Sequence, residues 1–565
     1  MSFTSQVRNR RSRILRAGAL LALGCLFLSG TQAGFTDSTF GRAQLSTSSG
    51  LEVGPSDNDQ SAASALFIST RGDLYISGAR NNGDGNGDTP PPTADPTRVS
   101  FPKDTAIVDA AGSTNDFSTA FSNTNSYMAL DRQGGVWTWG SVYPSASGHR
   151  LIGRGSIEAD QARQVGQVTT TAQGTKLPAI KDIARTENQF LALDGQGTLW
   201  AWGYGAENLP NPNGPSSAPL PLKANRTTWA PHRGSCLGDS DNNMGSVRWH
   251  SLWGGSNSAG AVSQNGLIYS WGYDTNEPPA KGNGIVNATC PALNERANRA
   301  LFLERPDLYR TAEGETYDER DLATENDRHA RYEAIVREMI KQPLSQCRGV
   351  KPTGTVDDSK CPVRQLGFPA RASLLLLQSG TLLTWKSTAL NYGDPFLGRT
   401  PNDAPYWPRA VRSGGHQLMF SNFTTGISSA QALNREGDVL GWGWNNYCQA
   451  IGRPTSKTDC SSPRDSPRAA TDLVISPTAV GGIPKDEKII RLSATQCAAW
   501  AATASGTLYA WGAGTVAGTD FRTCAQPASP QAGYKIYDHL RVDSEHPFGH
   551  PVTDRATSTR KVAGP

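Results

Sequence analysis

Short apolar runs alternate with polar turns along most of this chain, and the runs come in pairs. Phe190-Leu191-Ala192-Leu193 is followed by the turn Asp194-Gly195-Gln196-Gly197 and then by Leu199-Trp200-Ala201-Trp202. Ala430-Gln431-Ala432-Leu433 stands the same way before Asn434-Arg435-Glu436-Gly437, and Tyr127-Met128-Ala129-Leu130 opens a third pair. Two such runs around a Gly-bearing turn predict a β-hairpin, with glycine supplying positive φ. The second run is apolar at both parities, whereas a half-exposed strand alternates, so it is predicted to be buried on both faces. One more short strand candidate lies upstream of each pair, as at Ala179-Ile180, Val247-Arg248-Trp249 and Lys488-Ile489-Ile490. Each unit therefore holds three or four strands.

The second run is a phrase that recurs seven times, starting at Gly72, Gly134, Gly197, Gly266, Gly380, Gly437 and Gly506. The starts are 62, 63, 69, 114, 57 and 69 residues apart. An aliphatic residue follows two places on and a large apolar residue three places on. Trp stands five places on in six copies, at Trp139, Trp202, Trp271, Trp385, Trp442 and Trp511, with Ser77 in the first. Gly closes the phrase except at Lys386. Self-similarity at this period selects a repeat architecture. Solenoid coils are far shorter than these units, and radial stacking buries both faces of every hairpin, so the expectation is an all-β, seven-bladed β-propeller.

The phrase resembles the regulator of chromosome condensation repeat family, whose blades carry an aliphatic-aromatic-small-Trp-Gly strand after a Gly turn. The resemblance runs from Ala65 to Gly512 and implies the propeller fold. Two family features are altered. The His-Thr pair that usually starts the first hairpin strand is replaced by Gln189-Phe190, Ser258-Ala259 and Gln496-Cys497, and the Gly-Gln-Leu-Gly after Trp-Gly survives as traces such as Tyr447-Cys448-Gln449-Ala450-Ile451-Gly452. The resemblance thus implies a fold rather than a ligand. Exported bacterial relatives include a propeller-type inhibitor of β-lactamases, which is compatible with a binding role.

The 114-residue interval interrupts the rhythm, with its excess between 276 and 362. Stretches 292–304 and 317–342 are rich in Glu, Arg and Ala. Tyr332, Ile335, Val336, Met339 and Ile340 recur at helical spacing before Pro343, so a mainly helical insertion is predicted between blades four and five. It is either a lid packed on the propeller or a recognition arm. The predicted organisation is a leader at 1–33, an N-terminal segment at 34–60, blades 1–4 at 61–275, the insertion at 276–362, blades 5–7 with ring closure at 363–545, and a tail at 546–565.

The leader changes the picture of charge and compartment. Arg8, Arg10, Arg11, Arg13 and Arg16 precede an apolar stretch at 17–28, and Thr31-Gln32-Ala33 offers small residues for cleavage, the pattern of a secretory signal peptide. Cys25 after Leu23-Gly24 is a partial lipoprotein pattern, but the apolar run continues past it; Arg10-Arg11 is a minimal twin-arginine pair. Removal leaves 49 basic against 50 acidic side chains, with no nucleic-acid footprint and no membrane span. Export, to the periplasm, medium or cell surface, excludes the nuclear role of the family's namesake. Eight Cys remain: Cys236, Cys290, Cys347, Cys361, Cys448, Cys460, Cys497 and Cys524. An even number in an exported chain without any CxxC spacing favours disulfides over zinc, paired by proximity as Cys236–Cys290, Cys347–Cys361, Cys448–Cys460 and Cys497–Cys524.

Catalytic signatures are missing from the sequence: it has no GxSxG, HExxH, P-loop or dinucleotide motif. His546 and His550 are separated by helix-breaking Pro547 and Gly549. Asp84, Asn86 and Asp88 follow the alternating rhythm of calcium loops with Asp95 at the twelfth place. Thr89 instead of Gly and the run Pro90-Pro91-Pro92 favour a plain interblade turn, so no metal or cofactor is expected. Sequons at Asn225, Asn287 and Asn422 matter only in a glycosylating host. Outside the phrase, Trp229, Trp253, Tyr406, Trp407, Trp444 and Tyr447 are candidate partner-binding residues, because Trp and Tyr anchor protein and glycan partners; plugging a blade end is the other role open to each. The connections after each Trp-Gly, at 203–233, 273–362, 386–412 and 444–468, vary most and are the expected contact face. The expected function is a non-enzymatic scaffold for a protein or other macromolecule, the alternatives being a surface adhesin or envelope-assembly subunit and a polysaccharide hydrolase or lyase.

Overall fold

The computed structural model describes residues 51–52, 65–69, 72–77, 97–112, 126–140, 148–186, 189–204, 217–223, 247–255, 258–272, 288–341, 361–369, 372–386, 397–399, 406–426, 429–445, 448–452, 473–481, 483, 485, 488–494, 498–503, 507–512, 534–537, 551–554 and 559–563. Seven four-stranded antiparallel sheets follow one another in it, and each carries one copy of the phrase as its third strand. In the third sheet the order is Ile180–Arg185, Gln189–Asp194, Leu199–Tyr204 and Ser217–Lys223. From the second sheet onward the first strand touches the first strand of the next sheet. That places the upstream runs innermost and the strands after Trp-Gly outermost, the arrangement of a β-propeller.

Side-chain chemistry accounts for the repeat. Leu199, Trp200, Ala201 and Trp202 are all buried, because both faces of the sheet meet neighbours. Trp202 stacks on Phe190 with centroids 5.4 Å apart and planes at 1°, and Trp139 stacks on Tyr127 at 5.4 Å. The hairpin turn is closed by an acid. Asp194 Oδ1 accepts from Gln196 N and Thr198 N at 2.9 and 2.8 Å, while Oδ2 accepts from Trp200 Nε1 at 3.1 Å. Asp131 repeats the device with Gln133 N, Gly135 N and Trp137 Nε1 at 2.9, 2.7 and 2.8 Å. The phrase's opening glycine sits at positive φ, +80° at Gly197, with a carbonyl of the next sheet, Trp249 O, 2.9 Å from where a Cβ would stand.

A second device lies on the inner strands. In the second to seventh sheets the ladder skips one residue after the strand's first: Val108, Lys181, His250, Arg364, Ser421 and Ile490. Such a bulge re-aims the next side chain. Asp182 Oδ2 accepts from Leu252 N of the following sheet at 3.0 Å. Gln365 accepts from Phe423 N at 3.2 Å and donates to Phe423 O at 2.7 Å. Each of these links runs from one sheet to the backbone of its successor.

Several elements differ from the sequence reading. The outer strands Ser217–Lys223, Ala288–Leu293 and Arg409–Ala410 fall inside connections read as loops. The first and last sheets draw strands from outside the units assigned to them: Leu51–Glu52 is the innermost strand of the first sheet, and Thr559–Ala563 is the outermost of the last. Between 276 and 362 the helices begin at Glu295, because Ala288–Leu293 completes the fourth sheet. They span Glu295–Glu304 and Glu325–Lys341. No described helix is long and apolar enough to cross a membrane.

Candidate partner-binding face

The insertion is built onto the fourth and fifth sheets. Ala297, Leu301, Phe302, Tyr332, Ile335, Val336 and Met339 are buried in one cluster with Tyr269, Trp271, Leu383 and Trp385 of those sheets. Polar contacts fix the register. Asn294 caps the first helix by accepting from Ala297 N at 3.0 Å. One turn on, fully buried Asn298 accepts from Ile268 N at 2.9 Å and donates to Ile268 O at 2.8 Å. Its amide thus satisfies both main-chain groups of a residue on the fourth sheet's third strand, as a neighbouring strand does.

Arg299, also on the first helix, ties the rest of the insertion to this point. Its guanidinium contacts Glu325 at 2.8 Å, Glu295 at 3.5 Å and Glu319, and donates to the Tyr317 hydroxyl at 2.7 Å. Burial alone would lower its pKa. The hydrogen bond to Glu325 and the surrounding negative charge outweigh burial and hold it above the ordinary arginine value. A buried cation with several carboxylates around it is a fixed joint: removing the arginine leaves Glu295, Glu319 and Glu325 clustered without their shared counter-charge.

Arg299 also lies 4.5 Å from the centroid of the Trp407 ring, and Arg296 lies at 5.6 Å. Lys386, the residue that breaks the closing glycine of the phrase, is buried with Nζ 5.5 Å from the centre of Tyr406. Tyr406 and Trp407 are both half-buried. They form a seam of aromatic rings and cations where the insertion meets the outer edge of the fifth sheet. Arg399 Nη2 donates to Thr384 O at 3.0 Å and to Trp407 O at 3.1 Å, fixing the backbone under the seam.

The structure sorts the other expected residues. Trp253, expected at a connection, is buried in the inner strand Trp249–Gly254 at 3% exposure and presents nothing to a partner. Its strand is buried at both parities, so the Trp packs between sheets. Trp444 ends the third strand of the sixth sheet, half-buried and paired with Leu473. Trp229, Tyr447, Asp84, Asn86 and Asp88 lie outside the described residues. Cys361 and Cys448 are disulfide-bonded, and Cys290 lies on the outer strand of the fourth sheet. Cys236, Cys347, Cys460, Cys497 and Cys524 lie outside the described residues. Among the described residues no group of three or more His, Cys, Asp or Glu is placed to hold a metal ion.

Two sets of positioning residues escaped the sequence reading. Asn298 and Arg299 look like ordinary polar helix residues until the fold sets them against Ile268 and the carboxylates. The other set had a signal of which the sequence reading took only the trace at 447–452: Leu151-Ile152-Gly153-Arg154, Phe396-Leu397-Gly398-Arg399 and Ala450-Ile451-Gly452-Arg453 recur after the phrase. Gly153, at φ +91°, lies 2.6 Å (measured to the site of a Cβ) from Trp202 Nε1 of the next sheet, and Gly398 lies 3.0 Å from Trp442 in the same sense. Trp511 Nε1 donates to Gln449 O at 3.0 Å in the third case. In the two described cases the arginine turns back onto its own unit, Arg399 onto Thr384 O as above and Arg154 onto the connection that leads to its outer strand. Arg154 donates to Gln161 O and Gln164 O at 2.9 and 3.1 Å, and burial pulls its pKa down to about 10.

No family model matches the chain, and no curated protein matches it. Among solved structures it is similar to human WBSCR16 at 15% identity and a TM-score of 0.46, over 80% of this chain and 86% of that one. It is similar to Prp20p from Saccharomyces cerevisiae at 15% identity and a TM-score of 0.47, over 80% and 83% of the two chains. Yeast RCC1 (Prp20) bound to Kap60 matches at 14% identity and a TM-score of 0.45, over 78% and 76%. At such values no residue and no partner is carried across.

Proposed function

We propose that this protein is an exported, non-enzymatic propeller scaffold that binds a protein or cell-envelope macromolecule through the connections between its sheets. The reading is carried by the seam at Tyr406 and Trp407. It presents half-buried aromatic rings and cations on a frame held by buried polar joints. Large aromatics and Arg on a rigid support are the residue types that dominate partner binding. The polar groups Asp131, Asp194, Gln365, Asn298 and Arg299 are all engaged in holding that frame.

Export and a disulfide framework belong to the same reading. The mature chain is expected to begin at Gly34 and to show four disulfides under denaturing, non-reducing conditions. N-terminal sequencing and mass spectrometry read both. Pull-down of the secreted protein from an envelope extract, combined with an activity screen on polysaccharides, tests the function. A stoichiometric protein partner whose capture falls on Trp407→Ala supports the scaffold. Turnover of a glycan replaces it with a hydrolase or lyase. Retention of the protein in a multi-subunit envelope complex makes it an assembly subunit.

A further inference from the structure

Among the described residues, the exposed large apolar side chains are Leu303, Leu473 and Ile475. Two of the three stand on one strand, Leu473–Ala479, the outermost of the sixth sheet. Positions two apart on a strand share a face, so Leu473 and Ile475 present together. Leu473 pairs across the ladder with half-buried Trp444, which extends the apolar face inward. Leu473 and Ile475 are 37% and 40% exposed.

A basic element borders this strand. From 404 to 419 the chain holds no Asp or Glu, while it carries Arg409, Arg412 and His416. Arg409 and Arg412 are exposed and follow Tyr406 and Trp407 directly. Arg412–Ser413 forms a small hairpin with His416–Gln417, and that hairpin packs beside Leu473–Ala479. The outer rim of the fifth and sixth sheets is therefore one continuous strip. Two aromatics lead into exposed arginines, which lead into an exposed aliphatic pair.

We propose that this strip is a docking surface for an extended, acidic segment of a partner protein that alternates carboxylates with apolar side chains. The inference rests on the scaffold reading and gives it a partner class. Positive charge on one side of the strip and an apolar face on the other are complementary to such a segment and repel a basic one. An extended chain beside an outer strand presents its side chains at the same two-residue period as Leu473 and Ile475.

The test uses the mature protein and a fluorescein-labelled peptide of about twelve residues that alternates Glu with Leu, read by anisotropy. A Lys-Leu peptide and a Glu-Ser peptide are the controls. Binding of the Glu-Leu peptide alone is expected, weakening as salt rises. Arg409→Glu with Arg412→Glu, and separately Leu473→Ser with Ile475→Ser, are each expected to weaken it about tenfold or more. Thermal melts confirm that both variants remain folded. Failure of the Glu-Leu peptide to bind overturns the proposal, as do equal binding of the Lys-Leu peptide and an effect of only one of the two double variants. Tighter binding to anionic lipid vesicles than to the peptide also overturns it. If the natural partner is still captured by both double variants, the scaffold reading stands and this strip falls.

Discussion

At Asp194 one short side chain closes a turn and fixes the tilt of a buried Trp. Replacing it with Ala orphans Gln196 N, Thr198 N and Trp200 Nε1, and is expected to cost about 1–3 kcal/mol in urea unfolding. Asp194→Asn keeps an oxygen for the turn but turns a donor amide toward the indole N–H, so it is expected to lose only part of that. Equal losses for the two variants would show that the turn bonds contribute nothing beyond the Trp contact. Trp407 is set between solvent and Arg299, and removing its ring uncovers a buried cation. Trp407→Ala is therefore expected to lower the melting temperature as well as partner capture. Loss of capture at an unchanged melting temperature would mean that the ring serves recognition alone.

The insertion is an element held by apolar packing and by two neighbouring polar residues, Asn298 toward the sheet and Arg299 within the insertion. Asn298→Leu keeps the helix but leaves Ile268 N–H unpaired, while Ile268 C=O keeps only the Asn294 N–H at 3.0 Å. Faster hydrogen exchange at 295–341 is expected, with the sheets unaffected; uniform exchange rates across the chain would show that the helices are held by apolar packing alone. The Arg299 joint also predicts a pH dependence. Burial pushes the Glu325 carboxyl up, but the Arg299 hydrogen bond and charge prevail, and its pKa lies below the ordinary 4.5. A depressed carboxylate stabilises the fold above its unfolded value and loses that contribution as pH falls through the folded one. Protection of 295–341 is thus expected to fall as the pH drops below about 4.5, and Glu325→Gln to flatten the fall. Glu304, shifted upward by burial, opposes this trend. The third strands and the insertion helices were legible in the sequence, because both-face burial and helical spacing leave direct traces in residue order. The outer strands were not. Ser217–Lys223 contains Pro219 and Pro221, and Leu473–Ala479 contains Pro477; an edge strand pairs on one side only and tolerates a missing N–H, so such strands resemble loops. The aromatic candidates were half legible. Tyr406 and Trp407 reached the outer seam, while Trp253, in a run broken by His250 and Ser251 that hides its burial, went to the interior.

Across the whole molecule, the last sheet depends on the far end of the chain, since Tyr509 pairs with Lys561 and Leu508 with Val562. Deleting 559–563 uncovers the third strand Thr507–Gly512. A lower melting temperature and concentration-dependent association in light scattering are expected, because an uncovered strand recruits another; a monomeric variant of unchanged stability would show that the pairing is dispensable. The links between sheets have a further consequence. Asp182 and Gln365 reach forward to the next sheet's backbone, and Gly153 and Gly398 seat forward against the next sheet's Trp. At these joints one unit offers a plug and the next a socket of the same kind. Such a chain can gain or lose one unit of about sixty residues and still present matched ends. Its copy number is open to change by duplication within a gene, while the order of residues inside a unit is not.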